Sequence, residues 1–272
     1  MTPLAESLLA AYDRGVPHAP PTLERPDFDL RGAYALAAEL IAARQARGER
    51  RVGRKIGFTN RAIWPIYNVH GPIWGAVWDS TFVQLDSPRS HVSLAGLVQP
   101  RLEPEIVLGL RSAPRSSSLA DLADAVGWVA HGFEIVQSLA PGWKFTAADT
   151  VAAFGLHARL LVGPRVPVEA LLPAGAPRAA LADRLSALSL TLSLDGRPVA
   201  QGRGADALDG PLQALGFLVD TLAGQPDLPP LSPGEVVTTG TLTDAQPMTP
   251  GQGWATTLEG APLAGLSLRV EA

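Results

Sequence analysis

The chain has 272 residues, a formal net charge of −4 and no cysteine. That length holds one large domain or a small one beside a large one, and the charge gives no electrostatic footprint for nucleic acid or an anionic membrane. Missing thiols exclude disulfides, thiolate metal sites, iron–sulfur clusters and a cysteine nucleophile, while 46% hydrophobic and 18% charged residues exclude bulk disorder.

In chain order, residues 1–12 read as an amphipathic helix, because no basic stretch precedes the apolar run and Glu6 interrupts it. No run approaches the roughly 18 apolar residues of a membrane span, so a cytoplasmic protein is expected. A proline-rich connector covers 18–26. Ala33, Leu36, Ala37, Leu40 and Ile41 then recur at helical spacing, with Asp29 as N-cap and Gly48 as the stop. Arg51 to Thr59 reads as a short strand ending in polar turn residues. It contains Lys55, one of only two lysines against 20 arginines. Residues 64–78 carry three of the six tryptophans, a density that suits either core or a pocket wall.

A composition shift near 86–92 divides a small N-terminal region, 1–88, from a β-rich remainder, 89–272. Within the latter, Leu119 to Trp128 reads as a helix capped by Ser118 with Asp121 at N3. Leu188, Leu190, Leu192 and Leu194 alternate with Ser and Thr as a half-buried strand. Asp195-Gly196 signals a type I′ hairpin returning through Pro198 to Ala200. A helix starts at Gly210-Pro211, and strands follow at 235–239, 255–259 and 266–270.

Three glutamates stand out: Glu103 and Glu105 in Arg101-Leu-Glu-Pro-Glu-Ile-Val-Leu108, and Glu134 in Gly132-Phe-Glu-Ile-Val136. The apolar residues around them predict buried strands, and side chains two apart on a strand share a face. Glu103 and Glu105 can therefore converge, and a third carboxylate from a neighbouring strand completes an all-oxygen site for Mg²⁺ or Mn²⁺. Three buried carboxylates without a cation would have to pair or take up protons. A solvated sheet face is the competing arrangement.

The ordered elements Gly53-Arg-Lys-Ile-Gly57, Glu103-x-Glu105, Glu134, Asp149-Thr150, Gly202-Arg-Gly204 and Thr239-Gly240 resemble the fumarylacetoacetate hydrolase superfamily. More narrowly, they resemble its branch of 2-keto-4-pentenoate hydratases and 4-oxalocrotonate decarboxylases. The resemblance runs from about Leu30 to the C-terminus. It implies an α+β fold, a mixed β-roll C-terminal catalytic domain with a small N-terminal α/β region, and usually a homo-oligomer. It also implies Mg²⁺ or Mn²⁺ on Glu103, Glu105 and Glu134, where the ion serves as Lewis acid toward a chelated 2-oxo acid.

Lys55 matches the family's active-site lysine, with partial burial expected to lower its pKa; otherwise it is a snorkelling surface lysine. Arg203, Thr239 and Gly240 are the implied substrate-binding residues, and Arg54 is expected to face away in a structural ion pair. The implied activity is hydration of a small unsaturated 2-oxo acid in aromatic-compound degradation.

Departures keep other outcomes open. The pattern has an Asp where this chain has Ile73, and polar residues near Phe154 and Leu156, just before His157. His70 is the nearest replacement acid or base, with a wall of Trp64, Trp74 and Trp78 expected beside it. Decarboxylation of a 2-oxo diacid, C–C hydrolysis of an acylpyruvate and a catalytically silent binding homologue are the alternatives.

Overall fold

The computed structural model describes residues 1–67, 69–225 and 227–271, so residue 68 of the aromatic stretch lies outside the described residues. In chain order its strands are β1 (Arg51–Gly57), β2 (Ile73–Trp78), β3 (Phe82–Gln84), β4 (Arg89–Val92), β5 (Arg101–Leu110), β6 (Val126–Val136) and β7 (His157–Val162). Then follow β8 (Val166–Pro167), β9 (Ser189–Leu194), β10 (Arg197–Arg203), β11 (Val236–Thr241), β12 (Gln246–Pro247), β13 (Gly253–Glu259) and β14 (Ser267–Val270). Nine form one mixed sheet along the path β2-β1-β11-β5-β6-β7-β3, with β12 on β5 and β8 on β6. The other five form a second sheet, β10-β9-β13-β14-β4. Helices packed on mixed sheets make the expected α+β class.

Alternation along β5 and β6 gives the large sheet two different faces. Leu102, Ile106, Leu108, Phe133 and Ile135 pack into the main core with Leu190, Leu192 and Trp254 of the second sheet and Leu212, Leu215 and Leu218 of the helix Pro211–Ala223. The opposite face carries a smaller cluster of Val77, Val107, Ala130, Leu160, Val162 and Val236. The three glutamates belong to that second face. Arg54, fully buried, points away from it and pairs with Glu235 at 2.7 Å, as expected.

The helix Leu30–Ala46 starts at Asp29, whose side chain accepts from the Gly32 N–H. At the β9–β10 turn, Asp195 and Gly196 both have positive φ, 48° and 80°, as a type I′ turn requires. One boundary differs from expectation. The helix capped by Ser118 ends at Ala125, because Val126 opens β6 and Trp128 is claimed by pairing with Gly109. A Cβ on Gly109 would lie 1.9 Å from the Trp128 ring, so that glycine makes the pairing possible. The N-terminal region expected to end at 88 shares its sheet with the rest: β1, β2 and β3 pair among β5, β6, β7 and β11.

Candidate metal centre

Strand register assembles the site. Glu103 and Glu105 lie two apart on β5, and Glu103 stands directly opposite Glu134 on β6. One carboxylate oxygen from each lies within 4.8 Å of the others. Glu105 and Glu134 are fully buried, and Glu103 is half-buried. On the far side of β11, Lys55 of β1 reaches the cluster, its Nζ 3.3 Å from Glu134 Oε2.

Backbone and imidazole hold these carboxylates in place. Between Thr238 and Thr241 the β11–β5 register slips, inserting one extra residue opposite β5. Within that bulge Gly240 adopts φ 98°, and its N–H donates to Glu105 Oε2 at 2.8 Å. His157 lies 2.8 Å from Glu134 Oε1 through Nδ1 and 2.8 Å from Thr81 Oγ1 through Nε2. An ionised Glu134 can only accept, so Nδ1 then carries the proton and Nε2 accepts from the Thr81 hydroxyl. Burial, followed by repulsion from Lys55, Arg44 and Arg159, holds His157 well below the usual imidazole range, so it is neutral.

The carboxylates are electrostatically uncomfortable by themselves. Burial pushes Glu103 and Glu134 up to about 7, against the attraction of Lys55. Burial and then the charge of Glu134 drive Glu105 well above the ordinary carboxylate range. For Lys55, burial is the largest single influence and pulls its pKa down. Attraction to Glu134, Glu103 and Glu105 together outweighs it, and the pKa is raised. The expected lowering of Lys55 is thereby overturned, since full burial beside three carboxylates favours the ammonium.

Glu105 Oε1, fully buried, has no hydrogen-bond partner among the described residues, and Glu134 Oε2 has only its ion-pair contact with Lys55. Three ionised carboxylates against one ammonium leave two negative charges uncompensated, which a divalent cation matches. The donors are all carboxylate oxygen, the set hard cations such as Mg²⁺ and Mn²⁺ select. The residues fit the ion.

The cluster opens through Glu103 and Lys55 into a cavity of about 350 Å³, lined also by Phe58, Ile73, Arg101, Trp143, Phe145, Leu156 and Gly240. Above Lys55 the roof is backbone. A Cβ on Gly75 would lie 2.7 Å from the Phe154 carbonyl, and Phe154, Gly155 and Leu156 all have positive φ. Such clustered strain is characteristic of positions the surrounding fold over-determines.

Other expected residues fall elsewhere. His70 is exposed and does not line the cavity. Trp64 bonds the Phe58 carbonyl, Trp74 stacks on Tyr34, and Trp78 is buried beneath the Arg44 guanidinium. None of the three lines the cavity; its aromatic wall is Phe58, Trp143 and Phe145. Arg203 is exposed on β10, because Gly202 and Gly204 face inward against the Leu242 and Leu185 carbonyls. The buried Thr239 hydroxyl is committed to the Ile106 carbonyl at 2.9 Å, and Gly240 spends its N–H on Glu105. Sequence reasoning gave no role to His157 or Arg101. Only the even spacing of residues 101, 103 and 105 signalled that Arg101 shares the glutamates' face.

An α+β fold around a buried triad of glutamates defines a candidate divalent-cation protein with hard oxygen ligands. No family model matches the chain. It is 31% identical over 244 residues to 2-hydroxyhexa-2,4-dienoate hydratase of Comamonas testosteroni, spanning 89% of this chain and 87% of that one. It is 34% identical over 242 residues to 2-keto-4-pentenoate hydratase of Burkholderia vietnamiensis, spanning 88% and 86%. The solved structure of 4-oxalocrotonate decarboxylase from Pseudomonas putida G7, complexed with magnesium and adipate, superposes with a TM-score of 0.87 at 26% identity, covering 98% and 95%. The chain belongs to the family of 2-keto-4-pentenoate hydratases and 4-oxalocrotonate decarboxylases.

Proposed function

We propose that the chain is a divalent-metal-dependent lyase that hydrates a small unsaturated 2-oxo acid of the 2-keto-4-pentenoate type in the degradation of aromatic compounds. The observation that carries this reading is the glutamate triad opening, beside the buried Lys55, into a largely apolar cavity. Glu103, Glu105 and Glu134 would hold Mg²⁺ or Mn²⁺, and the ion would supply Lewis-acid polarisation of a bound 2-oxo acid. Lys55 Nζ holds negative charge near the substrate head and moves protons there. Gly240 and His157 fix the directions of Glu105 and Glu134, and Ile73, Leu156 and Phe58 keep water from the substrate's carbon chain. A cytoplasmic homo-oligomer, tested by cell fractionation and light scattering, is part of the same reading.

Chelator treatment is expected to abolish turnover of 2-keto-4-pentenoate, and Mg²⁺ or Mn²⁺ to restore it; metal-independent turnover would sink the proposal. Glu103→Gln is expected to weaken binding of both Mn²⁺ and oxalate, a mimic of a chelating 2-oxo acid. Ile73 motivates decarboxylation as the second reading, because it puts a side chain with no ionisable proton on the cavity wall where the family pattern has an acid. Trapping the products separates the two, since decarboxylation alone releases CO₂.

A further inference from the structure

A second opening, a groove of about 380 Å³, shares no lining residue with the cavity at the metal centre. Residues from the ends of the helices Pro3–Arg14 and Leu30–Ala46, from the 95–97 loop and from β7 form its sides. A Cβ on Gly15 would lie 2.3 Å from the Gly96 carbonyl oxygen, so the first helix closes directly on that loop.

Three cations and two anions stand on the wall. Glu49 pairs with both Arg44 and Arg47, and Asp13 pairs with Arg47 as well. The Arg44 guanidinium is buried and pinned among aromatic rings, 5.0 Å from the centre of Tyr12, 5.1 Å from Trp78 and 5.7 Å from Phe154. Arg159 of β7 is half-buried, and among the described residues its guanidinium has no ion pair and no hydrogen bond. One positive charge is therefore left over, and it sits on Arg159.

A buried donor stands beside it. Gln137 lies two residues beyond Ile135, which pairs with Arg159 across the β6–β7 ladder. It is 3% exposed, and its Oε1 accepts from the Val98 N–H at 3.0 Å, which fixes the amide and leaves Nε2 as the free end. Nε2 has no hydrogen-bond partner among the described residues, and Gln137 lines the groove. An amide donor this deep gains from a ligand oxygen what it lost on leaving bulk water.

We propose that this groove is a binding site for a small monocarboxylate anion, received by the Arg159 guanidinium and the Gln137 amide and separate from the metal centre. A planar guanidinium offers a carboxylate two parallel N–H donors, and an unspent amide N–H supplies a further one. The single surplus charge suits a single negative charge, whereas Asp13 and Glu49 oppose a second. Thr81 lines the groove too, and its hydroxyl meets His157, so the site stands two hydrogen bonds from Glu134 without including any glutamate of the triad.

The test titrates [1-¹³C]propionate into the metal-free protein and follows broadening of the carboxylate carbon signal. Wild type is expected to broaden it saturably. Arg159→Gln is expected to weaken binding about tenfold or more, Arg159→Lys to retain part of it, and Gln137→Leu to weaken it severalfold. Glu103→Gln is expected to leave the titration unchanged, because the triad is not part of this site. Absence of saturable broadening with wild type overturns the inference, and so does broadening that survives Arg159→Gln or disappears in Glu103→Gln. Inorganic phosphate is expected to displace propionate only at higher concentration; displacement at lower concentration overturns the assignment to a monocarboxylate.

Discussion

Lys55 meets the triad at 3.3 Å from Glu134 Oε2, and among the described residues no other cation approaches the cluster within ion-pair distance. Lys55→Met should therefore separate chemistry from metal binding. It removes the group that handles charge and protons, and kcat is expected to fall by about 10²-fold or more. It also removes a positive charge that competes with the cation, so Mn²⁺ affinity measured by calorimetry should hold or rise. A large loss of Mn²⁺ affinity would assign Lys55 a merely structural part. His157 acts one shell further out. His157→Phe leaves the buried Glu134 Oε1 without its partner, while the Thr81 hydroxyl keeps the Trp78 carbonyl, and this costs about 1–3 kcal/mol of stability. It should also weaken Mn²⁺ binding by roughly 10–100-fold. Denaturant titration and metal titration of the same variant check both effects.

At the scale of elements, the bulge in β11 is what turns a backbone N–H toward Glu105. A regular strand would send that N–H into the ladder instead. Gly240 sits at φ 98°, and a Cβ there would lie 1.7 Å from Thr59 Oγ1, so neither backbone nor space admits a side chain. Gly240→Ala is expected to cost about 1–3 kcal/mol from the backbone alone and to lower metal affinity as Glu105 loses its donor. Near-wild-type values for both would mean that the bulge does not position the ligand. Local signals gave the strands, the Asp29 cap and the Asp195-Gly196 turn, because each is written in adjacent residues. The bulge was not legible, since Thr239-Gly240 looks like any strand end until its pairing with β5 is known. The end of the helix at Ala125 is not legible for the same reason: residues 126–128 carry no stop signal, and the pairing of Trp128 with Gly109 decides them.

Across the whole molecule the triad stores an unfavourable balance that a cation relieves. Glu103 and Glu134 lie near pKa 7 in the fold, against about 4.3 for an unfolded glutamate. The metal-free native state thus holds more protons than the unfolded chain between those values, so stability falls as pH rises through that window. His131 works in the opposite sense. Burial pulls it to about 4 while its Nδ1–H donates to the Glu105 carbonyl and its Nε2 meets Thr256 of the second sheet, both at 2.9 Å. Its contribution is present above the unfolded imidazole value of about 6.5 and is lost as pH falls toward 4. Comparing melts with and without Mg²⁺ at each pH cancels the His131 contribution. The rise in Tm on adding Mg²⁺ should therefore grow from about pH 5 to about pH 8, because protons compete with the cation for the same oxygens. A pH-independent rise would mean that the ion binds elsewhere.

The sequence by itself determined the α+β class, the two-residue spacing that puts Glu103 and Glu105 on one face, and the pairing of Glu134 with them through a family resemblance. These follow from local periodicity and from ordered motifs, which survive without knowledge of contacts. Tertiary structure alone decided that His70 and the tryptophans of residues 64–78 stand away from the cavity, and that Trp143, Phe145 and Arg101 line it instead. It also decided that Lys55 is held charged, that the Gly202-Arg203-Gly204 run serves close packing, and that His157 grips Glu134. Each depends on which distant strand or turn lies across from a residue, and sheet register fixes that through the burial of one face as a whole, not through any residue's immediate neighbours.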